Sequence, residues 1–148
     1  MPNAEINIES NQLSIKQTFN APIARLFACF TQPELLAQWH SPNDTMGITA
    51  EVDLKIGGNY RIEMTAPDGQ SHTAIGQYHE IEEPNKLVYS WRWEGAEGPD
   101  TTVTVFLKER GSQTEVELIH TGFENNDTAQ HHSQGWSGIF DRLAIHLG

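Results

Sequence analysis

The sequence is short of cysteine, of positive charge and of long apolar runs. Its single cysteine, Cys29, excludes an internal disulfide, so stability does not depend on an oxidising compartment. Nine basic residues against twenty acidic ones give a net charge of −11, which argues against nucleic acid and anionic membrane surfaces as partners. No stretch approaches the roughly 18 apolar residues of a membrane span. Residues 1–10 lack the basic and apolar regions of a signal peptide, so we expect a cytoplasmic protein.

What the sequence does contain is enough for one packed domain. It has 148 residues, of which 37% are hydrophobic, and four tryptophans. A chain of this length buries about two thirds of its unfolded surface. There is no linker, repeat or low-complexity block, so we expect a single domain over residues 1–148.

The first third predicts one strand and two short helices. Residues 13–19 alternate as a strand does. Asn20 is the predicted N-cap of the first helix. Thr31 and Glu34 have the spacing of a capping box for the second helix, which we expect to end at Pro42.

The middle of the chain changes to a period of two. Turn signals such as Asp68-Gly69 separate the alternating runs and predict hairpins, and therefore an antiparallel sheet of about six to seven strands. The predicted strands after the helices cover residues 48–54, 60–64, 70–82, 87–93, 102–108 and 114–121.

The C-terminal segment, residues 131–147, predicts one long amphipathic helix. Its apolar residues form one continuous stripe, namely Trp136, Ile139, Phe140, Leu143 and Leu147. A sheet with one apolar face and a helix with one apolar stripe must pack on each other, so the fold class is α+β.

Motifs along nearly the whole chain resemble those of one known family. They are Phe30-Thr-Gln-Pro-Glu-Leu-Leu-Ala-Gln-Trp39 with Pro42, Gly57-Gly-Asn-Tyr60, Asp68-Gly69, Gly76-Gln-Tyr78 with Ile81 and Pro84, Leu87-Val-Tyr-Ser-Trp91, Thr114-Glu-Val-Glu-Leu118, His120-Thr-Gly-Phe123, and Gly135-Trp136 with Leu143. From about Leu13 onward the chain resembles the SRPBCC superfamily, the START-like and birch-pollen-allergen-like proteins. Within it, the chain is most similar to the family named for the activator of the heat-shock-protein ATPase.

The resemblance implies a helix-grip fold. In that fold an antiparallel curved sheet, with two short helices, carries one long C-terminal helix over its concave face. Relatives often keep a cavity between sheet and helix. The cochaperone of the family carries an additional N-terminal domain, for which 148 residues leave no room, and this weakens the expectation of chaperone activation. His40 also departs from the aromatic residue expected after Trp39.

The residues expected to face the helix are mostly aromatic and apolar, which is typical of a site for a hydrophobic small molecule. We expect Phe123 and the loop over residues 94–99 to gate its opening. The candidate ligand-cavity residues are Tyr60, Ile62, Met64, Tyr89, Trp91, Val105, Leu118, His120, Trp136 and Phe140.

The sequence predicts no metal, no cofactor and no catalytic residue. His131 and His132 are adjacent, so a helix cannot turn both toward one ion, although His132 shares a face with Trp136. Ser137 lacks the second glycine of a nucleophile elbow. Cys29 lies among apolar residues, as an inert buried cysteine does.

Three functions stay open at this point. The preferred one is a module that binds a hydrophobic or amphipathic small molecule. The second is a stress-related cochaperone with a chaperone partner, and the third is an enzyme similar to polyketide cyclases and aromatases, with His120 and tyrosines as acid–base groups. We expect binding rather than catalysis, and self-association as a homodimer stays open.

Overall fold

The computed structural model of the chain describes residues 4–41 and 45–148. Its elements follow in the order β1 (Glu5–Glu9), β2 (Gln12–Phe19), α1 (Ile23–Thr31), α2 (Pro33–Trp39), β3 (Gly47–Val52), β4 (Asn59–Thr65), β5 (Ser71–Glu82), β6 (Lys86–Trp93), β7 (Thr101–Arg110), β8 (Gln113–Thr121) and α3 (Asn126–Leu147).

The strands form one antiparallel sheet in the order β1-β2-β8-β7-β6-β5-β4-β3. Every neighbouring pair is antiparallel, and every pair except β2 and β8 consists of strands consecutive in the chain. The predicted α+β helix-grip fold is therefore confirmed. The sheet has one strand more than the highest expected number, the edge strand β1, whose five residues include Ile6 and Ile8 in alternation but are mostly exposed.

The predicted caps of the two short helices are wrong. The first helix has Pro22 as its N-cap, two residues after Asn20, and the cap makes no side-chain hydrogen bond. Thr31 belongs to the last turn of α1, where its hydroxyl donates to the carbonyl of Phe27 at 2.8 Å. The N-cap of α2 is Gln32, so no capping box forms.

Helix α3 begins five residues before the predicted start. The side chain of Asn125 accepts a hydrogen bond from the backbone N–H of Thr128 at 2.8 Å and so caps the helix. The sequence over residues 126–130 is polar and precedes the apolar stripe, which is why periodicity missed it. The predicted end of α2 at Pro42 lies outside the described residues.

Helix α3 crosses the concave face of the sheet and packs closely on β1, β2 and α2. Phe140 meets Phe19 of β2 edge to face, with ring centroids 5.6 Å apart. Helix α2 packs against β3 and α1. Helix α3 thus lies over the β1–β2 side of the sheet, and α2 lies over the β3 side.

Candidate functional site

A cavity of about 390 Å³ lies between the first half of α3 and the strands β4 to β6. Most of its wall is apolar or aromatic, and exposed imidazoles stand at its margin. It is lined by Met46, Met64, His72, Trp91, Trp93, His131, His132, Gly135, Trp136 and Ile139. We call this space the tryptophan–histidine cavity. Its volume lies in the range of roughly 300–1,000 Å³ that is typical of small-molecule sites.

The cavity exists partly because α3 carries no side chain at Gly135. A Cβ atom built at this position meets no other atom within 4 Å, so the space beside it is open. The next residue, Trp136, is buried and closes the inner wall, with its ring centroid 5.2 Å from that of Trp91. The pair Gly135-Trp136 therefore leaves space at one position and fills it at the next.

A chain of hydrogen bonds holds the inner wall in place. The indole N–H of Trp136 donates to Nδ1 of His120 at 3.1 Å, so this nitrogen carries no proton. Nε2 of His120 then carries the proton and donates to the hydroxyl of Thr101 at 2.7 Å. That hydroxyl donates in turn to the carbonyl of Trp91 at 3.0 Å.

The chain of hydrogen bonds requires a neutral His120. Burial, and secondarily the charge of nearby His132, hold the pKa of His120 well below its ordinary value. Both ring nitrogens already have partners, and the side chain has no exposed surface. His120 is therefore a structural hydrogen-bonding residue behind the wall, which removes the main acid–base candidate of the enzyme hypothesis.

His132 lies at the other end of this aromatic cluster and lines the cavity. Its ring centroid is 4.7 Å from that of Phe123 and 5.4 Å from that of His120. Nδ1 lies 3.0 Å from the carbonyl oxygen of Thr128, one turn earlier in α3. Burial lowers the pKa of His132, although the bond to Thr128 opposes the shift. The ring is consequently neutral at neutral pH.

The opposite end of the space beneath the helices is filled. Three buried tyrosines meet there with ring centroids 5.2 to 6.0 Å apart, namely Tyr60, Tyr78 and Tyr89. We call these residues the tyrosine cluster. Phe30 of α1 and Leu36 of α2 pack over it, and the remaining space is only about 10 Å³.

The tyrosine hydroxyls stay protonated. Burial raises the pKa of all three tyrosines above the ordinary range. The hydroxyl of Tyr60 donates to the carbonyl of Ser90 at 2.6 Å. This end of the molecule is therefore packed and neutral.

His40 separates the two ends. Its ring borders the tyrosine cluster and lies within 6.1 Å, between centroids, of the rings of Trp39, Trp91 and Trp136. Burial lowers the pKa of His40 to about 4. Its Nδ1 is buried and has no hydrogen-bond partner in the described part of the chain. His40 thus forms a neutral partition between an open and a filled compartment.

The ten candidate residues divide between these regions. Met64, Trp91 and Trp136 line the cavity. Tyr60, Ile62 and Tyr89 border the small space at the tyrosine cluster. Val105, Leu118, His120 and Phe140 have no exposed surface and lie in the core.

Seven cavity-lining residues were not among the candidates, and only some had a sequence signal. His132 and Ile139 follow the helical spacing around Trp136, and Trp93 continues the alternation of Trp91. Gly135 and His131 are sequence neighbours of Trp136 and His132, and the spacing gave no signal for them. His72 is the cross-strand partner of Met64 in the β4–β5 hairpin, so the turn predicted at Asp68-Gly69 carried a signal for it, whereas Met46 precedes β3 and had none. Phe123, expected to gate the opening, is buried against the rings of His120 and His132.

The described residues give little support to a metal site, a reactive cysteine or a membrane-spanning helix. Within residues 4–41 and 45–148, no three His, Cys, Asp or Glu side chains are placed to hold a metal ion. Cys29 is buried, and burial raises the pKa of its thiol, which disfavours the reactive thiolate. No helix of the described residues is long and apolar enough to cross a bilayer.

An antiparallel sheet that grips one long C-terminal helix, with a cavity beneath the helix, defines the helix-grip class of α+β proteins. Comparison with protein families narrows the class. The family described as "Activator of Hsp90 ATPase homolog 1-like protein" matches residues 20–148, so the chain belongs to this family.

Solved structures show the same fold over nearly the whole chain. Protein CV1439 from Chromobacterium violaceum is 25% identical, with a TM-score of 0.84 over 94% of this chain and 98% of that one. A protein from Rhodobacter sphaeroides is 21% identical, with a TM-score of 0.84 over 98% and 97%. The AHSA1 protein from Silicibacter pomeroyi is 20% identical, with a TM-score of 0.82 over 92% and 96%. None of the curated proteins matches the chain.

Proposed function

We propose that the protein binds an apolar or amphipathic small molecule in the tryptophan–histidine cavity. The observation that carries the proposal is the cavity itself, about 390 Å³ of space walled by three tryptophans, two methionines and an isoleucine. Proteins pack their interiors densely, and an apolar space of this size is a common feature of ligand sites. The single hydrophobic core shared by the strands and helices supports treating residues 1–148 as one domain for this function.

A second concave region lies on the opposite face of the sheet but fits the function less well. Its volume is about 470 Å³, and charged side chains line it. Arg61 pairs with Glu94 at 3.3 Å, and Arg92 pairs with Asp100 at 3.2 Å. Because these charges already have partners at the surface, the region is better described as a network of exposed ion pairs.

Two measurements test the proposal. Native mass spectrometry of the purified protein reports any molecule that co-purifies with it, and calorimetric titration with naphthalene reports whether the cavity accepts an apolar probe. We expect saturable binding of one naphthalene per chain, with quenching of tryptophan fluorescence because Trp93 and Trp136 border the site. Absence of both a co-purified ligand and naphthalene binding would sink the proposal.

We do not propose chaperone activation. Its support is the family description, whereas the cavity is a feature of the molecule itself. Stimulation of a chaperone ATPase by the purified protein would reopen that function. An enzyme is also not proposed, since both ring nitrogens of His120 are engaged in structural hydrogen bonds.

A further inference from the structure

His132 is the cavity histidine whose protonation pattern the fold determines. The carbonyl oxygen of Thr128 can only accept a hydrogen bond, so the Nδ1 atom 3.0 Å away must carry the proton. In the neutral ring the other nitrogen, Nε2, is then a bare acceptor. Contacts with Phe123 and His120 hold the ring in this orientation.

The acceptor nitrogen Nε2 of His132 has no protein donor, whereas both ring nitrogens of its neighbour His120 are bonded. Both nitrogens of His120 have protein partners, Trp136 and Thr101. Nε2 of His132 makes no hydrogen bond to the residues that the structure describes, and it is not among the fully buried unpartnered atoms, so it stays accessible. His132 is half-buried in the cavity wall, so the hydroxyl of a ligand can replace water as the donor to this nitrogen.

The rest of the wall restricts the charge of the ligand. Across the described lining there is no lysine, arginine, aspartate or glutamate, and the ionisable side chains are the imidazoles of His72 and His131, exposed at the margin, and of His132. A charged ligand therefore finds no permanent countercharge in the wall. The indole rings of Trp91, Trp93 and Trp136 offer flat apolar surfaces, which suit a planar ring system.

We propose that the ligand is a neutral, planar, apolar molecule that carries one hydroxyl group, of the phenol or fused-ring aromatic alcohol class. Its ring system occupies the space beside Gly135, between the tryptophans, and its hydroxyl donates to Nε2 of His132. This inference rests on the proposed function, because it names the class of molecule that the cavity takes.

Three probes of the same ring size test the class. Calorimetric titration compares naphthalene, 2-naphthol and 2-naphthoate with the wild-type protein. We expect 2-naphthol to bind about 3- to 10-fold more tightly than naphthalene, the advantage of one net hydrogen bond. We expect 2-naphthoate to bind most weakly, because its charge has no partner. The absorption band of bound 2-naphthol should shift to longer wavelength when its hydroxyl donates to an imidazole.

Variants of His132 separate hydrogen bonding from packing. His132→Phe keeps a ring in the wall and should abolish both the 2-naphthol preference and the absorption shift, while naphthalene still binds. His132→Gln keeps an accepting oxygen and should retain part of the preference. His79→Phe, at an exposed position on β5 outside the cavity, is the matched control and should bind like the wild type. Thermal unfolding of each variant verifies that it is folded.

The outcomes distinguish the two proposals. Equal affinity for naphthalene and 2-naphthol, or an unchanged preference in His132→Phe, overturns the ligand class and leaves the cavity function standing. Tighter binding of 2-naphthoate also overturns the class, since that ligand needs a positive charge on one of the lining imidazoles, His72, His131 or His132. If no probe binds and no ligand co-purifies, the proposed function itself fails.

Discussion

The two ends of the space beneath the helices have similar aromatic walls, but one end is open and the other is filled. At the tyrosine cluster, Phe30 and Leu36 enter the space and leave about 10 Å³. At the tryptophan–histidine cavity, α3 presents Gly135, and about 390 Å³ remains. The difference teaches that aromatic composition does not make a cavity. Whether a cavity remains depends on which side chains the covering helices place between the aromatic rings.

The two ends also differ in how their polar atoms are used. The hydroxyl of Tyr60 is bonded to a backbone carbonyl, and burial keeps the tyrosines neutral. At the open end, His120 is fully engaged but His132 keeps a free acceptor. A packed end stabilises the fold, and an open end with one unused hydrogen-bonding group suits a ligand.

The largest expected effect comes from a matched pair of cavity-creating substitutions. Leu36 and Ile139 are similarly buried, and substitution by alanine removes the same three carbon atoms from each. Leu36→Ala empties the filled end and should lower the free energy of unfolding by about 2–5 kcal/mol. Ile139→Ala should cost at least about 1 kcal/mol less, because Ile139 already borders open space. Urea unfolding measures both, and equal costs would contradict the contrast between the ends.

The second-largest effect is the loss of ligand binding when a side chain fills the tryptophan–histidine cavity. Gly135→Phe places a ring where a Cβ meets no other atom within 4 Å. We expect naphthalene binding to weaken about 100-fold, which corresponds to about 2.7 kcal/mol. The control Gly135→Ala adds only the Cβ atom and should keep binding while stabilising α3 by up to about 1 kcal/mol. Undiminished binding to Gly135→Phe would place the probe elsewhere.

His40, which lies between the two ends, should make the stability of the protein depend on pH. His40 is neutral when folded, with a pKa of about 4, whereas the unfolded chain takes up this proton near the ordinary value of about 6.5. Stability is therefore lost as the pH falls through this window, and the lowered pKa values of His120 and His132 act in the same direction.

The variant His40→Phe tests this pH dependence. Between about pH 7 and about pH 5, His40→Phe should lose about 2 kcal/mol less stability than the wild type, because it has no proton to take up at this position. Denaturant unfolding at the two pH values measures the difference. Parallel losses in both proteins would show that His40 does not carry the effect.

The smallest effect is expected from the hydroxyl at the filled end. Tyr60→Phe removes the donor to the Ser90 carbonyl and should cost about 1 kcal/mol of stability. Because Tyr60 lies outside the tryptophan–histidine cavity, naphthalene affinity should stay within about 2-fold of the wild type. A large loss of binding would mean that the two ends are coupled across His40.

Much of the fold follows from local patterns. The alternation of β8 and the stripe that begins at Trp136 are strong signals, because this strand and this helix each bury one face. Weak signals failed for physical reasons. The edge strand β1 is exposed on both faces, and the hydroxyl of Thr31 found a partner within its own helix and did not cap the next one.

The candidate site was less predictable than the fold. A buried aromatic residue looks the same in sequence whether it faces a neighbour or a void, so Tyr89 and Trp91 could not be assigned to different compartments. Met46 lies just before β3 and His72 lies in β5, the two strands that flank β4, and the pairing register sets both beside Met64. Nε2 of His132 is an acceptor because Nδ1 donates to the carbonyl of Thr128 within α3. The sequence alone does not predict this side-chain hydrogen bond.

By itself, the sequence determined the order of the elements, the faces that must be buried and the acidic charge, because these depend on neighbours a few residues apart. The tertiary structure decided where the buried faces touch and where they do not. The physical reason is that a cavity is a difference in volume between distant segments. Phe30 and Leu36 fill one end, Gly135 leaves the other open, and His40 stands between them.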